Sequence, residues 1–186
     1  PHLQWAEHNE EGSFVARGLT VISPAKLREI VPEVHVPINE EHTSVDPPVE
    51  VVVHIVDDDA VVRKSLEVLI RSAGYRTIGH DSGEAFLETF SSDIPAVLVL
   101  DQRLPGMTGS ELHARLERMG VCPPTVFLSA HNSVRDAVRF LEQGAVTVLC
   151  KPCQGQELLG AITRAVRKEQ QNARQRSMFQ KEAKFK

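Results

Sequence analysis

Val51-Val52-Val53-His54-Ile55-Val56-Asp57-Asp58 sets a short apolar run directly against two carboxylates. The run is β-branched and scarcely alternates, as befits a strand buried on both faces of a parallel sheet. Three further runs repeat the arrangement. Ala96-Val97-Leu98-Val99-Leu100 ends at Asp101, and Thr125-Val126-Phe127-Leu128 ends at Ser129. Ala145-Val146-Thr147-Val148-Leu149 leads through Cys150 to Lys151-Pro152. In an open α/β sheet, ligands bind outside the carboxyl ends of the strands, so these polar residues converge on one rim.

Between the runs the apolar spacing turns helical, which implies βαβ units and a parallel, doubly wound sheet. A helix over 60–72 carries the stripe Val62, Leu66, Leu69 and Ile70 and stops at Gly74. A second strand over 75–79 precedes a helix capped by Ser82 and running through Phe90, with Ala85, Phe86 and Phe90 inward. Helices follow over 110–119, over 132–143 and over 155–168, the second burying Val134, Val138 and Leu141. The result is five repeats of strand then helix.

Residues 1–49 hold six of the eleven prolines and no sustained period. They read as an N-terminal extension, largely disordered or loosely docked, with a short helix expected over 24–31 and a linker over 34–48. The domain proper spans 50–168, and 169–186 is a basic tail or a truncated linker helix. Charge follows the same division, with nine acids against three bases in residues 1–50 and seven bases against two acids in 167–186. The basic end reads as a solvated face rather than a nucleic-acid contact.

The apolar (41%) and charged (25%) fractions and net charge of −4 are those of an ordinary globular chain. No apolar stretch approaches the ~18 residues of a membrane span. Three cysteines without framework spacing point to reduced thiols and a cytoplasmic setting.

The rim combines three acids, a hydroxyl and an amine. An aspartate can attack phosphorus to form an aspartyl phosphate, provided the surrounding negative charge is neutralised. Asp57 and Asp58 near Asp101 repel one another, and a hard cation such as Mg²⁺ relieves this through one or two carboxylates. Lys151 then pairs with phosphoryl oxygens and Ser129 donates to another.

These residues carry a resemblance. Val56-Asp57-Asp58-Asp59, the segment Leu100-Asp101-Gln102-Arg103-Leu104-Pro105-Gly106-Met107-Thr108-Gly109, Leu128-Ser129-Ala130-His131 and Lys151-Pro152 resemble the receiver domain of bacterial response regulators. Arg103 and His131 are similar to the FixJ-type branch of these CheY-like domains. The resemblance implies a three-layer flavodoxin-like (βα)5 fold with strand order 2-1-3-4-5. It implies that Asp101 is the phosphoacceptor for a sensor histidine kinase. Asp58, Asp101 and the backbone carbonyl of Arg103 would ligate Mg²⁺, with Asp57 acting through a bound water. Lys151 and Ser129 would contact the phosphoryl group, and the Lys151–Pro152 bond would be cis. Asp59 has no role in that metal set and reads as a helix-start residue. Phosphotransfer and autodephosphorylation would be self-catalysed rather than directed at an external substrate. A homodimer through helix 132–143 and strand 146–149 is a further implication, as is a two-state shift after Ser129.

The chain also departs from that pattern. Val148 stands where the family usually carries an aromatic residue, and Cys150 and Thr147 replace common acids. The FixJ type continues into a helix-turn-helix domain; about nineteen residues after Arg167 are too few for one, so no direct DNA binding is expected of this chain. Two other readings stand beside the receiver. Cys150-Lys151-Pro152-Cys153 could form a dithiol redox centre, and the whole could be a receiver-like scaffold that is never phosphorylated. Of the histidines, His54 reads as core or interface packing, and His131 borders the pocket as either a modulator of hydrolysis or loop filler.

Overall fold

The structure, a computed structural model, describes residues 13–16, 19–22, 49–130, 138, 140–142 and 144–183. The expected helix over 24–31, the linker over 34–48, Val134 and His131 lie outside them.

Two strands, β1 (Ser13–Ala16) and β2 (Leu19–Ile22), pair antiparallel with Ser13 opposite Ile22. The sequence reading offers no strand there, because four-residue segments are too short to show a period. The remaining elements alternate. β3 (Val52–Val56) is followed by α1 (Ala60–Ser72), β4 (Arg76–His80) and α2 (Gly83–Thr89). Then come β5 (Ala96–Asp101), α3 (Gly109–Arg118), β6 (Thr125–Ser129), β7 (Thr147–Cys150) and α4 (Gly155–Ala183). The last five strands form one parallel sheet in the order β4-β3-β5-β6-β7, the expected 2-1-3-4-5.

Side-chain alternation along β3 and β5 supplies both faces of the sheet. Val53, Ile55, Val97 and Val99 meet the stripe Val62, Leu66, Leu69 and Ile70 of α1 and Leu158, Ile162 and Ala165 of α4. Val56, Leu98 and Leu100 meet Phe86 of α2 and Leu112 and Leu116 of α3 on the other side. Phe86, fully buried, is worth roughly 1.5–3 kcal/mol by area alone. Ala85 and Phe90 are half-buried.

Local chemistry sets the helix ends. The Asp59 side chain accepts from the N–H groups of Val61 and Val62 and so caps α1, as a helix-start residue should. Gly74 takes the left-handed φ of +87° just past the end of α1, a conformation costly for a residue with a Cβ. Thr108 and Glu111 form a reciprocal capping box at the start of α3.

One expectation needs correction. Val138 and Leu141 are about half exposed, whereas Phe140 is buried, its ring stacked on Phe127 at 4.5 Å between centroids. The aromatic side chain offers more area and a ring partner, so it takes the inward position. The helix expected over 155–168 continues to Ala183, so 169–183 takes the helical of its two expected forms; it passes through Glu169, which is buried and accepts from Arg176 Nη2 at 2.6 Å. His54 is core, as read from the sequence, but its partner was unforeseen. His54 Nδ1 lies 2.9 Å from His80 Nε2, and both rings pack edge-on against Phe86.

Candidate functional site

Parallel register delivers the rim residues together. Val56 pairs with Leu100, Asp101 with Leu128, and Ser129 with Cys150, so the ends of β3, β5, β6 and β7 lie side by side. Asp57 and Asp58 follow β3, Asp101 and Ser129 close β5 and β6, and Lys151 follows β7.

The amine of Lys151 sits between two carboxylates, 2.8 Å from Asp57 Oδ2 and 2.8 Å from Asp101 Oδ2. Asp57 is 1% exposed, and its other oxygen, Oδ1, accepts from the Asp59 N–H at 2.9 Å. Burial raises the Asp57 carboxyl above its ordinary range, and the Lys151 ammonium only partly offsets that. Burial also disfavours the charge on Lys151, but the Asp101 and Asp57 carboxylates outweigh it and hold the ammonium above its usual value. The Lys151–Pro152 peptide is cis.

Asp101 is nearly buried, and its Oδ1 accepts from the Arg103 N–H at 3.2 Å. The turn beneath it is tightly tied. The Gly109 N–H donates to Gln102 O, the Gln102 amide and Ser110 hydroxyl bond each other, and the Gln102 N–H donates to Leu128 O. A Cβ on Gly109 would overlap the Asp101 carbonyl oxygen, so this close approach requires glycine. Ser129 is buried, and its carbonyl accepts from the Lys151 N–H at 2.7 Å.

Carboxylate oxygens of Asp57, Asp58 and Asp101 all lie within 4.8 Å of one another, with Asp58 exposed and the other two buried. Three hard oxygen donors, open to solvent on one side, fit a small divalent cation that keeps several waters. Three negative charges against one ammonium also leave a deficit that such a cation would make up.

Asp57, Asp58, Asp101 and Lys151 therefore share one pocket, with Ser129 and the Arg103 backbone at its edge. Sequence reasoning passed over Arg63, whose Nη1 donates to the Asp57 carbonyl at 2.7 Å. A single arginine in the first turn of a helix gives no sequence signal of that contact.

The dithiol reading fares differently. All three cysteines are thiols, and Cys153 is 3% exposed within the α1/α4 core. Burial pushes its thiol pKa up, the opposite of what a nucleophilic cysteine needs. Among the described residues, no helix is long and apolar enough to cross a membrane.

Comparison with known proteins identifies the family. The response regulator receiver domain family matches residues 53–163. Nodulation protein W of Bradyrhizobium diazoefficiens is 36% identical over 118 residues, covering 63% of this chain and 52% of that protein. The transcriptional regulatory protein FixJ of Rhizobium meliloti is 40% identical over 114 residues, covering 61% and 55%. The chain thus spans about half the length of the curated relatives it matches. Among solved structures, the FixJ N-terminal domain superposes with a TM-score of 0.58 at 38% identity, covering 62% of this chain and 93% of that one. The response regulator StyR gives a TM-score of 0.68 at 36% identity, covering 71% and 67%. The chain belongs to the response regulator receiver domain family of two-component systems.

Proposed function

We propose that the protein accepts a phosphoryl group on Asp101 from a phosphohistidine of a sensor kinase, with Mg²⁺ bound beside it, and that the acyl phosphate switches its partner contacts. The observation that carries this reading is the single ammonium held at 2.8 Å from both Asp57 and Asp101. That arrangement keeps one aspartate oxygen close to a cation able to follow a phosphoryl oxygen.

In the transfer, an Asp101 carboxylate oxygen forms the new O–P bond as the P–N bond to the histidine breaks. The imidazole leaves with the bonding pair and takes up a proton. Lys151 balances the charge that arrives, and the Ser129 hydroxyl donates to a phosphoryl oxygen. Asp57, Asp58, Asp101 and the Arg103 carbonyl would hold Mg²⁺, which when bound supplies charge neutralisation between the acids and the phosphoryl group. The step is self-catalysed, as is later hydrolysis. A cytoplasmic protein answering to a histidine kinase is the setting that fits.

The single negative charge of the Asp101 carboxylate becomes about two on the acyl phosphate, a net gain of about one negative charge that we take to shift the contacts of the segment after Ser129. Val138 and Leu141, both half exposed, offer apolar area for a second copy of the chain on that side. Incubation with acetyl phosphate and Mg²⁺ should yield an acid-stable, base-labile phosphoprotein of one added phosphate by intact mass. Asp101→Asn should abolish it; label retained in that variant would overturn the assignment. A protein that takes no label under any donor would favour the unphosphorylated scaffold.

A further inference from the structure

The peptide of Asp57 is held at both ends. Its N–H donates to the His80 carbonyl at 3.2 Å, which fixes the acid to the end of β4. Its carbonyl accepts from Arg63 Nη1 at 2.7 Å, and the same nitrogen lies 3.5 Å from the Asp58 carbonyl. Arg63 belongs to the first turn of α1, where its own N–H closes on the Asp59 carbonyl at 2.9 Å. One side chain thus spans the backbone of both acids that the metal reading requires.

Reaching those carbonyls takes space, and β4 provides it. A Cβ on Gly79 would stand 3.2 Å from both Cγ and Cδ of Arg63 and would overlap Glu67 Oε1. The arginine stem therefore lies across a glycine that leaves it room. Glu67 is itself engaged, with Lys64 at 3.3 Å and Arg71 at 3.8 Å, so it is not idle filler in that gap.

We propose that Arg63, seated over Gly79, is a positioning residue that fixes the Asp57–Asp58 backbone and so sets the affinity of the carboxylates for Mg²⁺. The inference rests on the metal reading above and deepens it. Arg63 touches neither the reacting oxygen nor a metal donor atom; it acts through the peptide that carries them. Its charge works in the opposite direction, since a guanidinium near the site repels a cation. That repulsion is small, because Arg63 is only half-buried and such charges are screened by solvent. Outer groups that orient metal ligands, by contrast, typically account for about 10–100-fold in affinity. Positioning wins, so removing Arg63 weakens binding.

The test is Mg²⁺ titration of the 186-residue protein followed by backbone amide shifts, beside thermal melts of each variant. Arg63→Ala should raise the Mg²⁺ dissociation constant about 10-fold. Arg63→Lys, which keeps the charge but places its donor one bond short of Nη1 on a more flexible stem, should fall between it and the parent. Gly79→Ala should also weaken Mg²⁺ while leaving the melting temperature close to the parent's: the methyl presses the arginine stem aside and moves the Glu67 carboxylate, whose ion pairs with exposed Lys64 and Arg71 contribute little, while alanine restricts the unfolded chain. Loss of affinity without loss of stability is what a merely structural role would not produce. Labelling by acetyl phosphate should slow in Arg63→Ala and Gly79→Ala at low Mg²⁺ and recover at saturation. Dissociation constants within twofold of the parent, or tighter, in Arg63→Ala and Gly79→Ala would overturn the clamp. A parent protein that binds no Mg²⁺ would instead defeat the metal reading, and the clamp with it.

Discussion

Lys151→Met isolates the electrostatics of the pocket. Methionine retains most of the stem's volume, so what disappears is the ammonium and its hydrogen bonds to Asp57 and Asp101, each 2.8 Å long. A hydrogen bond to a charged partner contributes about 1.5–3 kcal/mol, giving a gross loss of about 3–6. The upper figure is not reached, because one carboxyl escapes by holding a proton. Asp57 is already inclined that way by burial. A net cost of about 3 kcal/mol at pH 7 follows, the low end for removing one partner of a buried pair. The sign of the pH dependence is fixed too. A carboxyl whose folded pKa lies above its unfolded value adds stability below the unfolded pKa and loses it as pH rises through the folded one. The deficit of Lys151→Met should therefore narrow on moving from pH 7 to pH 5. Saturating Mg²⁺ should also narrow it, since a bound cation would neutralise the same carboxylates. Urea unfolding at both pH values, with and without Mg²⁺, measures all of this. A variant as stable as its parent at pH 7 without Mg²⁺, or a deficit indifferent to both pH and Mg²⁺, would refute the reasoning.

Other consequences are independent of the pocket's charge. Burial, and next the neighbouring His80, pull the His54 pKa from 6.5 to about 4, so its contribution is intact above the unfolded value and lost between pH 6.5 and 4. The stability gap between the parent and His54→Leu should shrink by about 2 kcal/mol from pH 7 to pH 5; parallel curves would show that the ring titrates normally. Gly109→Ala, which drives a methyl into the Asp101 carbonyl, should cost about 2 kcal/mol of folding free energy and lower the melting temperature, and an unchanged melt would mean the turn yields freely. His113 is 1% exposed and, among the described residues, its Nδ1 has no hydrogen-bond partner, the Glu117 carboxylate standing 3.9 Å away, so His113→Leu should raise stability at pH 7 by up to about 1 kcal/mol in chemical denaturation, whereas a marked loss would show that the Glu117 contact stabilises the fold.

How much of this could be read from the chain depends on how local the cause is. Strand ends announce themselves, because an apolar run stopping at Asp57, Asp101 or Ser129 needs no knowledge of distant residues. The α1 stripe and the Asp59 cap are equally local, and both lie where periodicity and capping chemistry put them. Phe140 was misjudged because the choice between it and Val138 or Leu141 is made by Phe127, a residue in another element. The His54–His80 contact joins residues 26 apart through strand register, which single-strand patterns do not encode. Arg63 escaped for the same reason: its partners are backbone carbonyls, and these leave no trace in side-chain spacing. The last helix continues past 168 because Glu169, polar by type, is buried against the domain with Arg176 as its partner.

That continuous last helix turns residue count into bearing. Each position advances about 1.5 Å and rotates about 100° around the axis, so Met178 and Phe179, 63% and 70% exposed, face a direction dictated by the sheet some turns away. Deleting one residue between Glu169 and Met178 would swing that apolar pair by just over a quarter of a revolution without touching the pocket. The distal turns thus behave as the hand of a dial, and its phase is written in the number of residues rather than in their identity.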